Sequence, residues 1–351
     1  MVSLKLVHIS PISSFHIGDR GIGVEEASPY IRSDTLYGAL IATISEIYGN
    51  DVVENIINGF KRGEPPFLLS SIFFYLDGIT LLPLPLSILK HKSLLSKSIQ
   101  KRVVIRSVLR KIRIVDERFF KDYCNGINSI EFEIEEEKLK RIILGNNVYI
   151  PMTLPMGELV LLRENLERAV REKRGNLYVI GRRPRNILDR VVHSSDIYYV
   201  GYVTYTTDLC FMIEILSEEM KDLITSAIKL LGDLGLGGER SVGFGKFRLI
   251  DIKDFKFPVE QGKYVISLSL YLPSPEELKK LKAIINISNY SIVLRPGSFS
   301  GSGTLRTDIR VFEEGSVFPA EILRRKAVGR VISGKDYVRI YSPLLLPMRE
   351  E

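Results

Sequence analysis

Residues 235–247 read Gly-Leu-Gly-Gly-Glu-Arg-Ser-Val-Gly-Phe-Gly-Lys-Phe, and this glycine loop lies between a helix-like and a strand-like segment. Glycine adopts positive φ angles and lets another backbone approach closely. Successive N–H groups next to cations such as Arg240 and Lys246 can surround an anion. The pattern therefore predicts a loop that binds a phosphate backbone. The alternative is a flexible connection without a ligand, because glycine-rich loops occur in connections of every kind.

Two nucleotide-binding motifs are excluded by the same residues. The loop does not end in Gly-Lys followed by Ser or Thr, so it lacks the lysine and hydroxyl that hold a nucleoside triphosphate and its magnesium ion. It also follows a helix, whereas the glycine fingerprint of dinucleotide-binding proteins follows a strand. What remains is a longer polyanion.

The composition is typical of a globular chain, and its net charge favours an acidic partner. Its 351 residues predict two or three domains at the usual size of about 150 residues each, and we prefer two. The formal net charge of +7 favours a nucleic acid as the partner. The sequence contains neither the roughly 18 consecutive apolar residues of a membrane span nor the basic-then-apolar order of a signal peptide. We therefore expect a cytoplasmic protein that binds no membrane.

The cysteines and histidines give no sign of a cofactor. Cys124 and Cys210 are the only cysteines, and the four histidines are scattered. Neither set has the spacing of a zinc or haem site. No cofactor and no metal is expected.

Apolar periodicity predicts the order of the secondary-structure elements. The predicted elements are a strand at 4–9, a helix capped by Ser33, a second helix at 51–60, strands at 67–76, 198–205 and 209–215, a helix capped by Ser217, and a strand at 246–252. The strands at 198–205 and 209–215 are expected to form a hairpin. Strand, helix, hairpin, helix and strand in this order predict an α+β fold with a ferredoxin-like β-α-β-β-α-β domain.

An insertion around residues 85–195 interrupts this domain, and its charges are unevenly distributed. The segments that stand out are a strongly basic block at 90–121, an acidic block at 131–137, a polar helix at 158–174 and a basic loop at 181–190. Its residue types leave open whether the basic block is helical or extended. It is either a solvated face or a surface that binds RNA or protein.

The C-terminal part resembles a second, reduced copy of the same domain. It contains a predicted strand at 264–272, a helix that Pro275 opens, a strand at 290–294 and a glycine loop at 295–303. We therefore divide the chain into residues 1–254, which include the insertion, and residues 255–351. The glycine loops at 18–23, 235–247 and 297–303 are expected to shape one channel.

Four motifs resemble one protein family. They are GDRGIGVEE at 18–26, RSDTLYGAL at 32–40, RNILDR at 185–190 and GGERSVGFGKF at 237–247. In this order they resemble the RAMP superfamily of CRISPR-associated proteins, and most of all the fourth subunit of the type III-A Csm effector complex. The similarity runs over most of the chain and is weakest in the region of residues 90–137 and beyond residue 254.

This resemblance implies two ferredoxin-like, RRM-like domains with a thumb-like insertion. It also implies a function without catalysis, in which the chain holds the repeat-derived 5′ tag of the CRISPR RNA. The implied partners are this crRNA, the large Palm-domain subunit and the backbone RAMP subunits, with the target RNA nearby. Single-stranded RNA needs cations and backbone donors for its phosphates and surfaces for its bases, and the residue types in these motifs suit that requirement.

The expected RNA-binding residues lie in the glycine loops, the first helix start and the basic loop at 181–190. They are His16, Arg20, Arg32, Arg182, Arg183, Arg185, Asn186, Arg190, Gly237, Gly238, Arg240, Ser241, Gly243, Gly245, Lys246, Arg295, Gly297 and Ser298. Other interpretations exist for some of them. His16 could be a buried imidazole with a satisfied hydrogen bond, and Arg190 could pair with a nearby carboxylate.

Two alternative functions remain at this point. The chain could be the equivalent capping subunit of another type III complex. It could also be a metal-independent CRISPR RNA-processing endoribonuclease in which His16 acts as general acid or base, since such a reaction needs a group within hydrogen-bond reach of the scissile nucleotide. No second histidine lies near His16 in the sequence.

Overall fold

A computed structural model describes most of the chain. The described residues are 4–18, 25–90, 98, 99, 103, 106, 107, 109, 110, 112–126, 132–134, 142–144, 159–161, 176–189, 194–296, 307–321, 323, 329–334 and 337–349. The expected RNA-binding residues Arg20, Arg190, Gly297 and Ser298 lie outside them.

The described residues form a mixed α/β fold. The helices are α1 (Ser33–Tyr48), α2 (Asn50–Arg62), α3 (Glu117–Cys124), α4 (Met220–Leu234) and α5 (Pro275–Ile284). The strands are β1 (Leu4–Pro11), β2 (Phe67–Leu69), β3 (Phe73–Leu76), β4 (Ile79–Pro83), β5 (Ile112–Asp116), β6 (Phe132–Ile134), β7 (Ile142–Leu144), β8 (Leu159–Leu161), β9 (Tyr178–Asp189), β10 (Ser194–Tyr205), β11 (Asp208–Ile215), β12 (Phe247–Asp254), β13 (Tyr264–Ser267), β14 (Ile292–Arg295), β15 (Ile309–Phe312), β16 (Val317–Pro319), β17 (Val331–Ser333), β18 (Val338–Ile340) and β19 (Leu345–Met348).

The main sheet has the strand order β12-β1-β11-β3-β4-β5-β8, and β2 also pairs with β11. Its pairings are antiparallel except between β5 and β8. β1 lies between the two strands that come last in the predicted domain, with Val7 opposite both Phe211 and Ile252. Val7 is fully buried, and α1 packs against α4. β12 is an edge strand of this sheet, and the glycine loop connects α4 to it.

Both predicted helix caps are wrong. α1 begins at Ser33 itself, and the Ser33 hydroxyl accepts the Leu270 N–H at 3.0 Å while its own N–H donates to the Ser71 hydroxyl at 2.8 Å. Ser33 is buried against the C-terminal part, so its side chain bonds there instead of capping the helix. α4 begins at Met220 after Glu219, and no side chain caps it.

The predicted hairpin of residues 198–205 and 209–215 is also wrong. Both strands exist, but β10 pairs with β9 along twelve residues and β11 pairs inside the main sheet. Residues 181–189, which we expected to be a loop, belong to β9. Pro184 is tolerated there because a two-stranded ribbon leaves each strand one open edge, where a missing N–H costs no ladder hydrogen bond.

Other parts of the insertion differ from the prediction in a similar way. Residues 159–161 form strand β8 where a polar helix was expected, because the apolar Leu-Val-Leu extends the main sheet beside β5. The basic block is helical at several described positions up to residue 109 and extended in β5. The basic block therefore contains both helical and extended residues, which are the two conformations that its sequence left open.

The C-terminal part packs on the first part through a shared core. β13 lies between β16 and β19, and α5 begins with a capping box in which the Ser274 hydroxyl accepts the Glu277 N–H. Leu268 and Leu346 belong to the same buried cluster as Leu36 of α1. β12 ends at Asp254, and the division of the chain at this residue stays a prediction.

A buried ion pair connects α1 to β14. The Arg295 guanidinium donates to both carboxylate oxygens of Asp34, from Nε at 3.0 Å and from an Nη at 3.1 Å, and Arg339 lies 3.4 Å from the same carboxylate. Burial by itself would raise the pKa of Asp34, but Arg295 and then Arg339 hold this pKa below its usual value. Asp34 is therefore ionised at neutral pH and joins the two parts of the chain.

We expect Arg295→Ala to lower the free energy of unfolding by about 3–5 kcal/mol, because it leaves a buried carboxylate without its main partner. Chemical denaturation at pH 7 measures this change. The control is Arg310→Ala on the neighbouring strand β15, where the arginine is exposed and the expected change is within about 0.5 kcal/mol. Equal, small effects of both substitutions would contradict a structural role for Arg295.

Candidate nucleic-acid interface

The segment that follows β1 holds two other elements together. On one side, Phe15 and Val203 of β10 exchange N–H···O hydrogen bonds of 2.8 Å. On the other side, the Gly238 N–H donates to the His16 carbonyl and the Gly245 N–H to the Ser14 carbonyl, both at 2.8 Å. Residues 13–17, the glycine loop and the ribbon of β9 and β10 thus form one surface, which we call the platform.

The glycine loop needs its glycines for backbone conformation and for space. Gly235, Gly237, Gly243 and Gly245 have φ angles between 78° and 98°. A Cβ on Gly237 would lie 2.6 Å from the His16 carbonyl oxygen, and one on Gly245 would lie 2.2 Å from the Leu236 carbonyl oxygen. L-residues with a side chain are disfavoured at such φ angles, so the sequence of the loop encodes its path.

The backbone N–H groups of the loop are used differently from the expectation. Those of Gly238, Gly245 and Lys246 donate to residues 13–17, and that of Leu236 donates to Gly245. These donors fix the loop to residues 13–17 and close it on itself, so they are not available to an anion. Arg240, Ser241 and Lys246 are exposed, and among the described residues their side chains make no hydrogen bond or ion pair. The loop therefore offers side chains, more than backbone donors, to an anion.

The ribbon separates the basic residues of 181–190 onto two faces. Residues opposite each other in an antiparallel pair share a face, so Arg183 and Arg185 lie with Val200 and Tyr198, while Arg182 and Asn186 lie with Gly201 and Ile197.

The face that carries Arg185 turns toward the glycine loop. Arg185 forms an ion pair with Glu239 of the loop. The ring centroids of Tyr202, on the ribbon, and Phe244, in the loop, lie 6.3 Å apart in an edge-on arrangement. Arg183 therefore belongs to the same side of the molecule as the glycine loop, and Arg182 and Asn186 do not.

His16 lies inside the platform. Its side chain is largely buried, and Nδ1 donates to the Gly201 carbonyl at 2.7 Å. Gly238 makes room for the ring, since a Cβ there would lie 2.7 Å from Cδ2 of His16. The imidazole thus helps to fix the ribbon to the segment after β1, as the structural interpretation of this residue predicted.

Arg32 and Arg295 are engaged elsewhere in the fold. Arg32 pairs with Glu313 at 2.9 Å and with Glu314, and Arg113 lies 3.3 Å from Glu313. Burial would raise the pKa of Glu313, but Arg32 and then Arg113 hold it below its usual value. The guanidinium groups of Arg32 and Arg295 are both paired with carboxylates inside the fold. The proposed interface therefore does not include these two residues.

Sequence reasoning missed several contributors to the platform. The Ser13 hydroxyl accepts the Lys246 N–H at 2.9 Å, and the hydroxyls of Ser14 and Thr204 are 2.7 Å apart. Glu239 adopts a left-handed conformation with φ of 59° and neutralises Arg185. The paired serines after the first strand are a weak signal, and nothing in the sequence pairs Glu239 with a residue 54 positions earlier.

The described residues include no cluster of three or more His, Cys, Asp or Glu side chains that could hold a metal ion. The imidazole of His8 lies on the main sheet between two carboxylates, with Nε2 at 2.9 Å from Asp208 and Nδ1 at 3.3 Å from Asp251.

None of the helices in the described residues is both long enough and apolar enough to cross a membrane.

The fold and the platform define a mixed α/β protein that presents exposed cations on a glycine loop. The sequence profile of the RAMP superfamily matches residues 8–248, which is more than half of the chain. The chain therefore belongs to the RAMP superfamily, and the matched range includes the whole glycine loop. Residues 260–337 match the CRISPR Csm4 C-terminal domain. The resemblance seen in the sequence motifs is confirmed.

Two curated relatives of this chain are both named Csm4. The CRISPR system Cms protein Csm4 of Thermococcus onnurineus is 26% identical over 247 residues, which cover 69% of this chain and 70% of the relative. The protein of the same name from Methanocaldococcus jannaschii is 22% identical over 337 residues, covering 82% and 80%.

Two solved structures have a similar fold. A chain of the Csm3-Csm4 subcomplex in the type III-A CRISPR-Cas interference complex has a TM-score of 0.63 at 17% identity and covers 98% of this chain and 99% of its own length. A chain of the Csm1-Csm4 cassette in complex with pppApA has a TM-score of 0.54 at 18% identity, covering 99% and 98%. These similarities concern the fold.

We expect Gly245→Ala to destabilise the protein more than Gly243→Ala. Both glycines have positive φ, which costs a residue with a side chain about 1–2 kcal/mol. A Cβ at Gly243 meets nothing within 4 Å, whereas one at Gly245 collides with the Leu236 carbonyl and must open the Leu236 to Gly245 hydrogen bond, at a further cost of about 1 kcal/mol. Denaturant unfolding measures both. Equal losses would contradict the close packing of the loop.

Proposed function

We propose that this chain is a Csm4-type subunit of a type III-A CRISPR interference complex. It holds the 5′ repeat-derived tag of the crRNA without catalysing a reaction, and it bridges the large Palm-domain subunit to the backbone RAMP subunits. The observation that carries this proposal is the match of residues 8–248 and 260–337 to the RAMP and Csm4 C-terminal families, together with a platform that presents cations on a glycine loop.

The detailed architecture that goes with this function is two ferredoxin-like domains. In a β-α-β-β-α-β unit the last strand lies next to the first, and the first next to the third. The order β12-β1-β11 followed by β2 and β3 supports this arrangement for residues 1–254. For residues 255–351 we propose a reduced second domain in which α5 follows β13, and β13 lies between β16 and β19 as a first strand lies between the third and the last.

The platform suggests a path for the RNA. Arg240, Ser241 and Lys246 on the glycine loop and Arg183 on the ribbon are exposed on the same side, where they can neutralise successive phosphates. The rings of Tyr202 and Phe244 meet between ribbon and loop, and His16 holds the ribbon next to Tyr202 through the Gly201 carbonyl. Arg182 and Asn186 lie on the other ribbon face and would meet RNA only beyond the edge of the ribbon.

The partners follow from the relatives. One similar structure is a complex of Csm3 with Csm4 and the other a complex of Csm1 with Csm4. We therefore propose a backbone RAMP subunit and the large subunit as neighbours of this chain, with target RNA nearby and the cytoplasm as the location. The corresponding subunit of another type III complex would have the same chemistry with different neighbours.

We expect the double variant Arg240→Ala with Lys246→Ala to bind tag RNA more weakly and with less dependence on salt. Each lost phosphate contact lowers the slope of log K against log salt by about 0.7 for single-stranded RNA. Fluorescence anisotropy at several salt concentrations measures both quantities. The control is Lys229→Ala with Arg310→Ala, which removes two exposed cations outside the platform. An unchanged slope in the first variant would remove the glycine loop from the binding site.

A second experiment separates the scaffold from an RNA-processing enzyme. Repeat RNA incubated with the purified protein and a chelator is expected to stay intact on a denaturing gel, since Nδ1 of His16 is held by the Gly201 carbonyl. Cleavage that His16→Ala abolishes would contradict the scaffold and support a metal-independent endoribonuclease.

A further inference from the structure

Glu239 places a carboxylate among the cations of the platform. It precedes Arg240 in the glycine loop and forms an ion pair with Arg185 of the ribbon. A carboxylate repels phosphates, so a surface that bound RNA through its phosphates alone would gain from a neutral residue at this position. The charge of Glu239 therefore needs a second explanation.

The backbone at position 239 also disfavours glutamate. The φ angle of Glu239 is 59°, in the left-handed region that is unfavourable for a residue with a side chain. Among the described residues other than glycine, Asp77 alone shares this feature, and it precedes Gly78 in the two-residue turn between β3 and β4, where Asp-Gly is a preferred sequence. Glu239 lies in no such turn. Glycine would adopt the same angle without strain, so a glutamate there indicates a use for its side chain.

The ion pair fixes the Glu239 carboxylate and leaves part of it open. Nη1 of Arg185 contacts Oε2 of Glu239, and Oε1 makes no hydrogen bond to any residue that the structure describes. The Glu239 side chain keeps 23% of its surface exposed. An ionised carboxylate only accepts hydrogen bonds, so Oε1 can receive an N–H group of a ligand but repels a carbonyl oxygen.

Aromatic rings lie on the same side of the ribbon. Tyr198 is directly opposite Arg185, so both side chains share the face that turns toward the glycine loop. Further along this face, Tyr202 meets Phe244 of the loop, and both tyrosines are partly exposed. Such rings stack on the bases of single-stranded RNA. A base stacked on Tyr198 would present its edge to the pair of Arg185 and Glu239.

We propose that Glu239 determines base specificity at one position of the bound RNA. Its carboxylate accepts a hydrogen bond from the exocyclic amino group of adenine, cytosine or guanine, and it repels the carbonyl oxygens of uracil. Arg185 is a positioning residue, because it holds the carboxylate in the orientation that the base edge requires. The inference rests on the proposed function, since the RNA must first lie on the platform.

The test compares tag RNA with analogues that lack a single exocyclic amino group. Each adenosine is replaced in turn by purine riboside, each guanosine by inosine and each cytidine by uridine, and fluorescence anisotropy measures the affinity of the full chain for every RNA. The variants are Glu239→Gln, which removes the charge at nearly constant shape, and Glu239→Gly, which suits the φ angle. The matched control is Glu260→Gln, at an exposed position outside the platform.

The readout is the ratio of two affinities measured with the same protein, because removal of the Glu239 charge also frees Arg185 and strengthens the binding of every RNA. We expect the wild type to bind one analogue at least about fivefold more weakly than tag RNA, as the loss of a base contact does. The ratio falls toward one in Glu239→Gly. It is reduced in Glu239→Gln, where the amide still offers an uncharged acceptor, and stays at the wild-type value in the control.

A wild-type protein that binds tag RNA and all analogues equally would overturn the inference. A ratio that both Glu239 variants retain would also overturn it, because Glu239 would then only join the loop to the ribbon. Loss of all RNA binding in both variants would likewise assign Glu239 to the structure of the loop alone. If the wild-type protein binds no tag RNA, the proposed function fails and the inference with it.

Discussion

The backbone hydrogen bonds on both sides of residues 13–17 are the constraint on which the candidate site depends. They bind the glycine loop through Gly238 and Gly245 and the ribbon through Val203. A loop with four glycines at positive φ would have many conformations on its own, and fixing each residue costs about 1–2 kcal/mol of conformational entropy. The continuation of the first strand offsets this cost and holds the loop in one shape, so that Arg240 and Lys246 lie at defined positions.

The sequence predicts the glycine loop well because its signal is local. Positive φ and close backbone approach require glycine at the position itself, so the residue type carries the information. The same holds for α2, for α5, which Pro275 opens, and for the buried strand β1. Strand pairing is different. β10 and β11 are neighbours in sequence, but nothing in their composition shows that β10 pairs with β9 and not with β11.

Arginine is the residue type whose role sequence reasoning separates least well. The sequence predicts RNA binding by Arg32 and Arg295 as it does by Arg183 and Arg240. In the structure the first two form ion pairs, with Arg295 buried and Arg32 partly buried, and the last two are exposed. The difference depends on carboxylates far away in the chain. Asp34 lies 261 residues from Arg295, and Glu314 lies 282 residues from Arg32. A buried guanidinium is stable only with such a partner, and a single sequence does not show which carboxylate that is.

Two groups of ion pairs join the start of α1 to the C-terminal part. Arg32 and Asp34 lie two residues apart at the start of α1, and each pairs with a different segment of the C-terminal part. Charged hydrogen bonds of this kind fix orientation more strictly than apolar packing, because small displacements leave a charge unpaired in a buried place. The C-terminal part therefore keeps a defined orientation on α1.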